Sequence, residues 1–394
     1  MGWMSWQRFG CETDCDADPE FCLSENLIKI TADSLVEGGF RDAGYEYIHI
    51  DDCWLLRDRD LETGAMVADP KRFPSGIKSL ADYVHDRGLK LGIYSDIGPK
   101  TCQGFPGLAG NFETDALTFA SWGIDSIKVD GCYMEAASMK EAYADFGDAL
   151  NKSGRPILYS CSWPAYQDDH CENESDFQAL ARSCNLWMNY DDIEDSWEST
   201  RNIIKFWSRN ATDLIVRSAG PGGWNNPDML LLGNPGLSNS EAEVQFLLWC
   251  LFSAPLYLST EVDKISDELR ALATNPEIIA VNQDSLGKQG YLIKDDGYGR
   301  KVFARPLIGG RIAVVLFNER AAFFPLKLKL NSVDLGWSEG QAFKARDLVR
   351  RVDLPIVIQG RLELPVDVSS AIMLLLEKVS LDALDSMLPI EMTI

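Results

Sequence analysis

Asp130 closes the run SIKVD, and Asp192 stands 62 residues later in CNLWMNYDDIEDSW. Each follows a short apolar run of the kind that forms a buried strand. Carboxylates on the ends of different strands can surround a single pocket, and two of them across a glycosidic bond are the usual means of cleaving it. One Asp at a strand end is as readily a helix cap or half of a salt bridge. The weight therefore falls on the residues around these two.

The elements that must position them are strand-like runs alternating with helical stretches. YEYIHID (45–51), LKLGIYSD (89–96), IDSIKVD (124–130), PILYSCS (156–162), NLWMNYDD (185–192), DLIVRSAG (213–220) and APLYLS (254–259) read as strands. SGIKSLADYVHDRG, MKEAYADFGDALNKSG and SWESTRNIIKFWSRN read as helices between them. With MGWMSW in front, this makes eight β/α units. Such a series predicts a parallel sheet covered on both faces, closed into a (β/α)8 TIM barrel. No GxGxxG turn after an early strand favours a dinucleotide fold. After Tyr291 the texture changes to strand-like runs joined by Gly, Asp and Asn turns: YGRKVFARPL, GRIAVVLFNER, AFFPLKLKL, LPIVIQG and AIMLLLEK. They predict an antiparallel β-sandwich. The expected domains are a barrel over 1–291 and an antiparallel β domain over 292–394, with a helical apolar pattern in the tail VSLDALDSMLPIEMTI.

A barrel presents its chemistry at the C-terminal ends of its strands. Those ends carry Trp6, Asp51, Asp52, Tyr94, Asp96, Lys128, Asp130, Ser162, Ala165, Asp192 and Asp228. Such a pocket is polar with aromatic walls, and it suits a sugar, whose hydroxyls need acceptors and whose C–H face packs on an indole.

Sixty acidic residues against 37 basic ones give a net charge of −23. That balance argues against nucleic acid as a partner, because phosphate binding needs clustered Lys and Arg. No apolar run reaches the roughly 18–20 residues of a membrane span. No signal-peptide pattern is visible where MGWMSWQRF already reads as a strand. Ten cysteines, with Cys11, Cys15 and Cys22 close together, point to an oxidising compartment. The sequons at Asn151, Asn173 and Asn210 fit a secreted or lysosomal route. The three histidines, His49, His85 and His170, make no zinc-spaced cluster with the cysteines, so no metal or cofactor is expected.

The words around these residues are more specific than their spacing. MGWMSWQRFGCETDC, IDDCW, DPKRFPSGIKSLADYVHDRGLKLGIYSDIG, IKVDGCY, SCSWPAY, CNLWMNYDDIEDSW, AGPGGWNNPDMLLLGN and NQDSLGKQGY resemble glycoside hydrolase family 27, the α-galactosidases and α-N-acetylgalactosaminidases. The resemblance runs in register from Met1 to about Tyr291. It implies a barrel followed by a β-sandwich, removal of terminal α-linked galactose-type sugars from glycolipids, glycoproteins or oligosaccharides with retention, and a homodimer. Asp130 corresponds to the nucleophile and Asp192 to the acid/base, a pair expected about 5–5.5 Å apart. Asp51 and Asp52 correspond to acceptors for the 4- and 6-hydroxyls, and Lys128 to a donor to the 3- and 4-hydroxyls. Trp6, Tyr94, Asp228 and Met229 match wall positions. In the family a Glu and a Leu in the CxWPx stretch crowd the sugar's 2-position, whereas Ser and Ala leave room for an acetamide. Ser162 and Ala165 therefore imply α-N-acetylgalactosaminidase activity with residual galactosidase activity. The implied disulfides are Cys11–Cys53, Cys15–Cys22, Cys102–Cys132 and Cys161–Cys184, leaving Cys171 and Cys250 unpaired.

Two positions depart from the family pattern. Met188 stands where an Arg usually contacts the sugar around positions 2 and 3, and a thioether cannot donate a hydrogen bond. Losing that charge-assisted donor costs roughly 1.5–3 kcal/mol of binding, about 10–150-fold. Arg217 is the candidate substitute donor. Asn226 replaces the usual Asp of GWNDPD, keeping its shape without its charge. Since both aspartates remain, the expectation is a weakened enzyme; the alternative is a silent galactoside-binding paralogue. A metal-dependent barrel hydrolase is disfavoured by the lack of a His-rich ligand set.

Overall fold

The computed structural model describes residues 1–167, 173–320 and 324–380. His170, Cys171 and nearly all of the tail whose helical pattern was noted above lie outside them. The barrel strands are β1 (Gly2–Met4), β2 (Tyr47–Ile50), β3 (Lys90–Asp96), β4 (Ser126–Asp130), β5 (Leu158–Cys161), β6 (Leu186–Met188), β7 (Trp224–Asn226) and β8 (Tyr257–Leu258). They pair in parallel in the order β7-β6-β5-β4-β3-β2-β1-β8. A parallel bridge from Leu230, just past β7, to Leu258 closes the ring. Helices follow the strands; Gly76–His85 buries one face, with Ile77, Leu80, Ala81 and Val84 turned inward, whereas Asn239–Leu251, between barrel and second domain, is buried all round from Val244 onward. The fold is a (β/α)8 barrel carrying a C-terminal antiparallel β domain.

Strand alternation arranges the barrel interior in layers. His49, Gly92 and Ser126 share one level of the β2–β3–β4 register. A Cβ on Gly92 would meet His49 Nε2 at 2.3 Å, so only glycine lets His49 reach across to Ser126 Oγ at 2.5 Å. The next levels up carry Tyr94 beside Lys128 and Asp96 beside Asp130. Two residues further along each strand therefore means one step from core to cleft.

The seventh strand is not where the sequence reading put it. DLIVRSAG folds as the short helix Leu214–Ser218, because the Asp213 side chain accepts the Ile215 N–H and caps it. The strand is the less apolar Trp224–Asn226. It is three residues long with two asparagines, so it carries no apolar run to find; Asn226 lines a small cavity with Met4, His49, Lys128, Asp228, Met229 and Tyr257.

The second domain is a six-stranded antiparallel sheet facing a two-stranded one. The large sheet contains β9 (Tyr291–Asp295), β10 (Arg300–Pro306), β11 (Ile312–Asn318), β13 (Phe343–Asp347), β14 (Val352–Asp353) and β16 (Ser370–Lys378); β12 (Leu326–Asn331) pairs with β15 (Arg361–Val366). LPIVIQG, expected as a strand, is a loop with a single bridge at Val357, and the strand begins after it at Arg361. On β10, β11 and β16, alternate residues serve two cores. Val302, Val314, Leu316, Leu374 and Leu376 fill the sandwich, while Phe303, Val315, Phe317 and Met373 pack with the barrel. Each such buried side chain contributes about 1.5–3 kcal/mol. Arg305 adds a polar clamp to this apolar joint. It is fully buried, and its Nη1 donates to the carbonyls of Cys250, Val281 and Asn282 at the C-terminal ends of helices Asn239–Leu251 and Pro276–Asn282. The negative ends of two helix dipoles thereby compensate a buried cation that would otherwise destabilise the joint.

Candidate active site

Asp130 ends β4, and its carboxylate is fixed from several directions. Tyr94 Oη donates to Oδ2 at 3.0 Å, Tyr166 Oη to Oδ1 at 2.6 Å, and the Gly131 N–H to Oδ1 at 3.1 Å. The sulfur of Cys102, in its disulfide with Cys132, lies 3.5 Å from Oδ2. Burial first, and the Asp130 charge second, push both tyrosine hydroxyls far above the ordinary phenol range, so they remain donors. Tyr166 was quoted in the SCSWPAY motif but given no role by the sequence reading. The 3-10 turn Trp163–Tyr166 carries it back over the cleft, which residue spacing alone does not reveal.

Beside this anchor, Lys128 Nζ bonds Asp51 Oδ2 at 3.0 Å, with both side chains largely buried. Burial opposes the lysine's charge, but Asp51, Asp130, Asp228 and Asp192 outweigh it and hold the ammonium well above its usual value. Asp52 follows immediately, its Oδ1 accepting the Cys53 N–H and its Oδ2 the Gln103 N–H. Burial lifts its carboxyl to about 6 against these backbone bonds, with Asp51 adding to the rise. Cys53 has a left-handed φ of 76°, a turn held by its disulfide to Cys11. Asp228, likewise left-handed at φ 74°, accepts the Ile193 N–H at 2.9 Å and so ties the β7 loop to the β6 loop.

Asp192 stands on that β6 loop. Its side chain is exposed at the cleft mouth, yet protein atoms crowd it enough that desolvation is the largest cause of its raised pKa. The charges of Asp228, Asp130 and Asp51 add to the rise, Lys128 opposes it, and the carboxyl reaches about 7. Among the described residues no hydrogen bond reaches this carboxyl. The charges of Asp51, Asp130 and Asp228 act on both Lys128 and Asp192.

The remaining predicted positions stand around them without bonding the carboxylates. Trp6 begins the helix Trp6–Phe9 after β1 and is half-buried. Ser162 is buried and Ala165 half-buried in the turn after β5, their backbone N–H groups bonding Val129 and Ser162 carbonyls. Met188 is buried at the end of β6. It pairs directly with Asn226 across the β6–β7 register, so the two departures from the family pattern are neighbours. Asn226 Oδ1 accepts the Asp228 N–H at 2.9 Å, a task that needs shape and not charge. Arg217 does not replace the missing donor: it is exposed on Leu214–Ser218 and donates to the Thr212 carbonyl.

Among the described residues there are four disulfides, Cys11–Cys53, Cys15–Cys22, Cys102–Cys132 and Cys161–Cys184, and Cys250 is a buried free thiol; Cys171 lies outside them. Asp96 lies close to Cys102 and Cys132, but both sulfurs are bonded to each other and offer no thiolate to a metal. Burial lowers His49 to about 3, with Lys128 adding to the effect, so it is a neutral core residue beneath the cleft. The sequon asparagines Asn151, Asn173 and Asn210 are exposed. No described helix is long and apolar enough to cross a membrane.

Known proteins carry the same architecture and a similar sequence. A family model described as alpha galactosidase A matches residues 1–284, and one described as the alpha galactosidase C-terminal beta sandwich domain matches 298–376. The chain is 46% identical over 349 residues to the α-N-acetylgalactosaminidase of Gallus gallus, covering 88% of this chain and 85% of that one. It is 45% identical over 337 residues to α-galactosidase A of Homo sapiens, covering 85% and 77%. The crystal structure of α-galactosidase I from Mortierella vinacea superposes with a TM-score of 0.85 at 30% identity, covering 95% and 96% of the two chains. With barrel and sandwich both matched, the chain belongs to glycoside hydrolase family 27, the α-galactosidases and α-N-acetylgalactosaminidases.

Proposed function

We propose that this glycoside hydrolase removes terminal α-linked N-acetylgalactosamine, and galactose more slowly, with retention of configuration. Asp130 is the nucleophile: its carboxylate attacks the anomeric carbon as the glycosidic bond breaks, giving a glycosyl-enzyme. Asp192 donates its proton to the leaving oxygen, then takes one from the water that releases the sugar. The single observation that carries the reading is the contrast in how these two carboxyls are kept. Asp130 is aimed by two tyrosines and a backbone amide, whereas Asp192 has no hydrogen bond among the described residues and is poised at about 7 to exchange a proton.

Asp51, Asp52 and Lys128 bind the sugar hydroxyls, with Trp6, Tyr94, Asp228 and Met229 as walls. Ser162 and Ala165 leave the volume that an acetamide needs. Met188 withholds a donor and weakens binding without removing the chemistry. The specific observation favouring the second reading, a silent galactoside binder, is the pairing of Met188 with Asn226 and the absence of Arg217 from the cleft. The four disulfides and exposed sequon asparagines support a secreted or lysosomal setting, a homodimer being the expected assembly.

The test compares kcat/KM of the purified chain on aryl α-N-acetylgalactosaminide and aryl α-galactoside, with Asp130→Ala alongside. Turnover that favours the acetamido sugar and vanishes in Asp130→Ala supports the proposal. Binding without turnover supports the silent paralogue.

A further inference from the structure

Asp96 is a fully buried carboxyl one strand away from Asp130, and no role in sugar binding or proton transfer falls to it. The β3–β4 register sets the two side by side, and the Ile97 N–H bonds the Asp130 carbonyl at 2.9 Å. The Asp96 carboxyl bridges the two loops that leave these strands. Its Oδ1 accepts the Gly98 N–H at 2.7 Å, and its Oδ2 accepts the Cys132 N–H at 2.8 Å. Cys132 is two residues past Asp130, so this bond folds the chain back just where the intervening Gly131 N–H must point at Asp130 Oδ1. The same turn places the Cys102–Cys132 disulfide against Asp130. There is no room to adjust the junction: a Cβ on Gly98 would meet the Cys132 carbonyl at 2.4 Å and Asp96 Oδ1 at 3.0 Å.

We propose that Asp96 is the positioning residue for the nucleophile, acting through the Cys132 amide to aim the Asp130 carboxylate at the anomeric carbon. The proposal rests on Asp130 being the nucleophile. An aspartate is needed because two amides approach its two oxygens; asparagine offers one acceptor and turns an NH2 toward the other amide. A buried N–H without a partner relaxes the turn. A displacement of about 1 Å of a reacting group costs on the order of 100-fold in rate, while hydroxyl contacts made by Asp51, Asp52 and Lys128 are left in place.

The experiment uses Asp96→Asn with 5-fluoro-α-galactosyl fluoride, in which an enzyme carboxylate oxygen bonds C1 as fluoride leaves and the glycosyl-enzyme accumulates. Peptide mass mapping locates the label, stopped-flow fluoride release gives the glycosylation rate, and calorimetry gives galactose binding. The expected result is a label on Asp130 that forms roughly 10–100-fold more slowly than in the parent, with galactose affinity unchanged within about 3-fold. Gly98→Ala, which strains the same junction from the other side, gives the same split between rate and affinity. Should Asp96→Asn fail to fold, Gly98→Ala carries the test. A parental labelling rate, or rate and affinity falling together, overturns the positioning role. A label on a residue other than Asp130 overturns instead the nucleophile assignment on which it rests.

Discussion

The two sides of the cleft are built to different rules. On the β3–β4 side nearly every polar atom is engaged: Asp130 accepts three hydrogen bonds, Lys128 holds Asp51, and Asp96 ties adjoining loops. On the β6–β7 side Asp192 has no bonding partner among the described residues, and Met188 lies against Asn226 where a charged pair would be at home. A nucleophile must be aimed, so rigidity serves it. An acid/base must gain and lose a proton within a cycle, so it needs a pKa near the working pH more than a fixed bond. The difference teaches that the two carboxyls are kept in opposite ways, Asp130 fixed by hydrogen bonds and Asp192 shaped by desolvation and neighbouring charges.

The largest expected effect comes from removing the aimed group. Asp130→Asn should lower kcat by about 1,000-fold or more, whereas Asp192→Asn should lose about 100–10,000-fold and least on aryl substrates whose leaving group needs little protonation. Equal losses on good and poor leaving groups would erase the assigned difference between the two. Next comes the β6–β7 side. Met188→Arg should lower KM by about 10–150-fold if a donor is what the site lacks. Because Met188 and Asn226 are register partners, adding Asn226→Asp should gain more than the sum of the single changes; strict additivity would show that the neighbours act independently. Tyr166→Phe should cost about 10-fold in kcat with KM unchanged, since Tyr94 and Gly131 still hold Asp130. An effect on KM alone would make Tyr166 a wall residue.

The smallest effects come from pH. Asp192 must be protonated to act as acid, so kcat/KM should fall as pH rises through about 7. Stability should move the same way. Asp52, Asp192 and Glu243 are raised to about 6, 7 and 7, each with desolvation as the largest cause. Raised carboxyls bind protons more tightly folded than unfolded, so their contribution is complete below about pH 4 and is lost as pH climbs through the folded values. Thermal melts should therefore give a lower Tm at about pH 8 than at about pH 5. A Tm that rises over that interval would show these groups ionised at no cost.

Much of the barrel was legible because its strands are buried on both faces and read as apolar runs. The exceptions share a cause. Trp224–Asn226 was overlooked because it is three residues long and two of them are asparagines, and DLIVRSAG was mistaken for it because a short apolar run does not distinguish strand from helix. In the sandwich, RLELPV alternates between exposed and half-buried positions, whereas the more apolar LPIVIQG before it belongs to a loop. For the site, strand ends gave Asp51, Asp52 and Asp130, because the barrel fixes where they must stand; Asp192, expected at the end of a strand over 185–192, lies instead on the loop four residues past Met188, where the strand ends. Tyr166 and the bridging bonds of Asp96 depend on how loops fold back over the strands, and no spacing rule encodes that. The two positions at which the resemblance implies a departure, Met188 and Asn226, are partners in the β6–β7 register, which their separation in sequence does not reveal.

The stereochemistry of the first product tests the account most directly. Proton NMR of an aryl α-N-acetylgalactosaminide during the first minutes of hydrolysis should show the α-anomer of the free sugar appearing first, with the β-anomer growing later by mutarotation. A β-anomer formed first would mean single displacement by water, and it would contradict Asp130 as a covalent nucleophile.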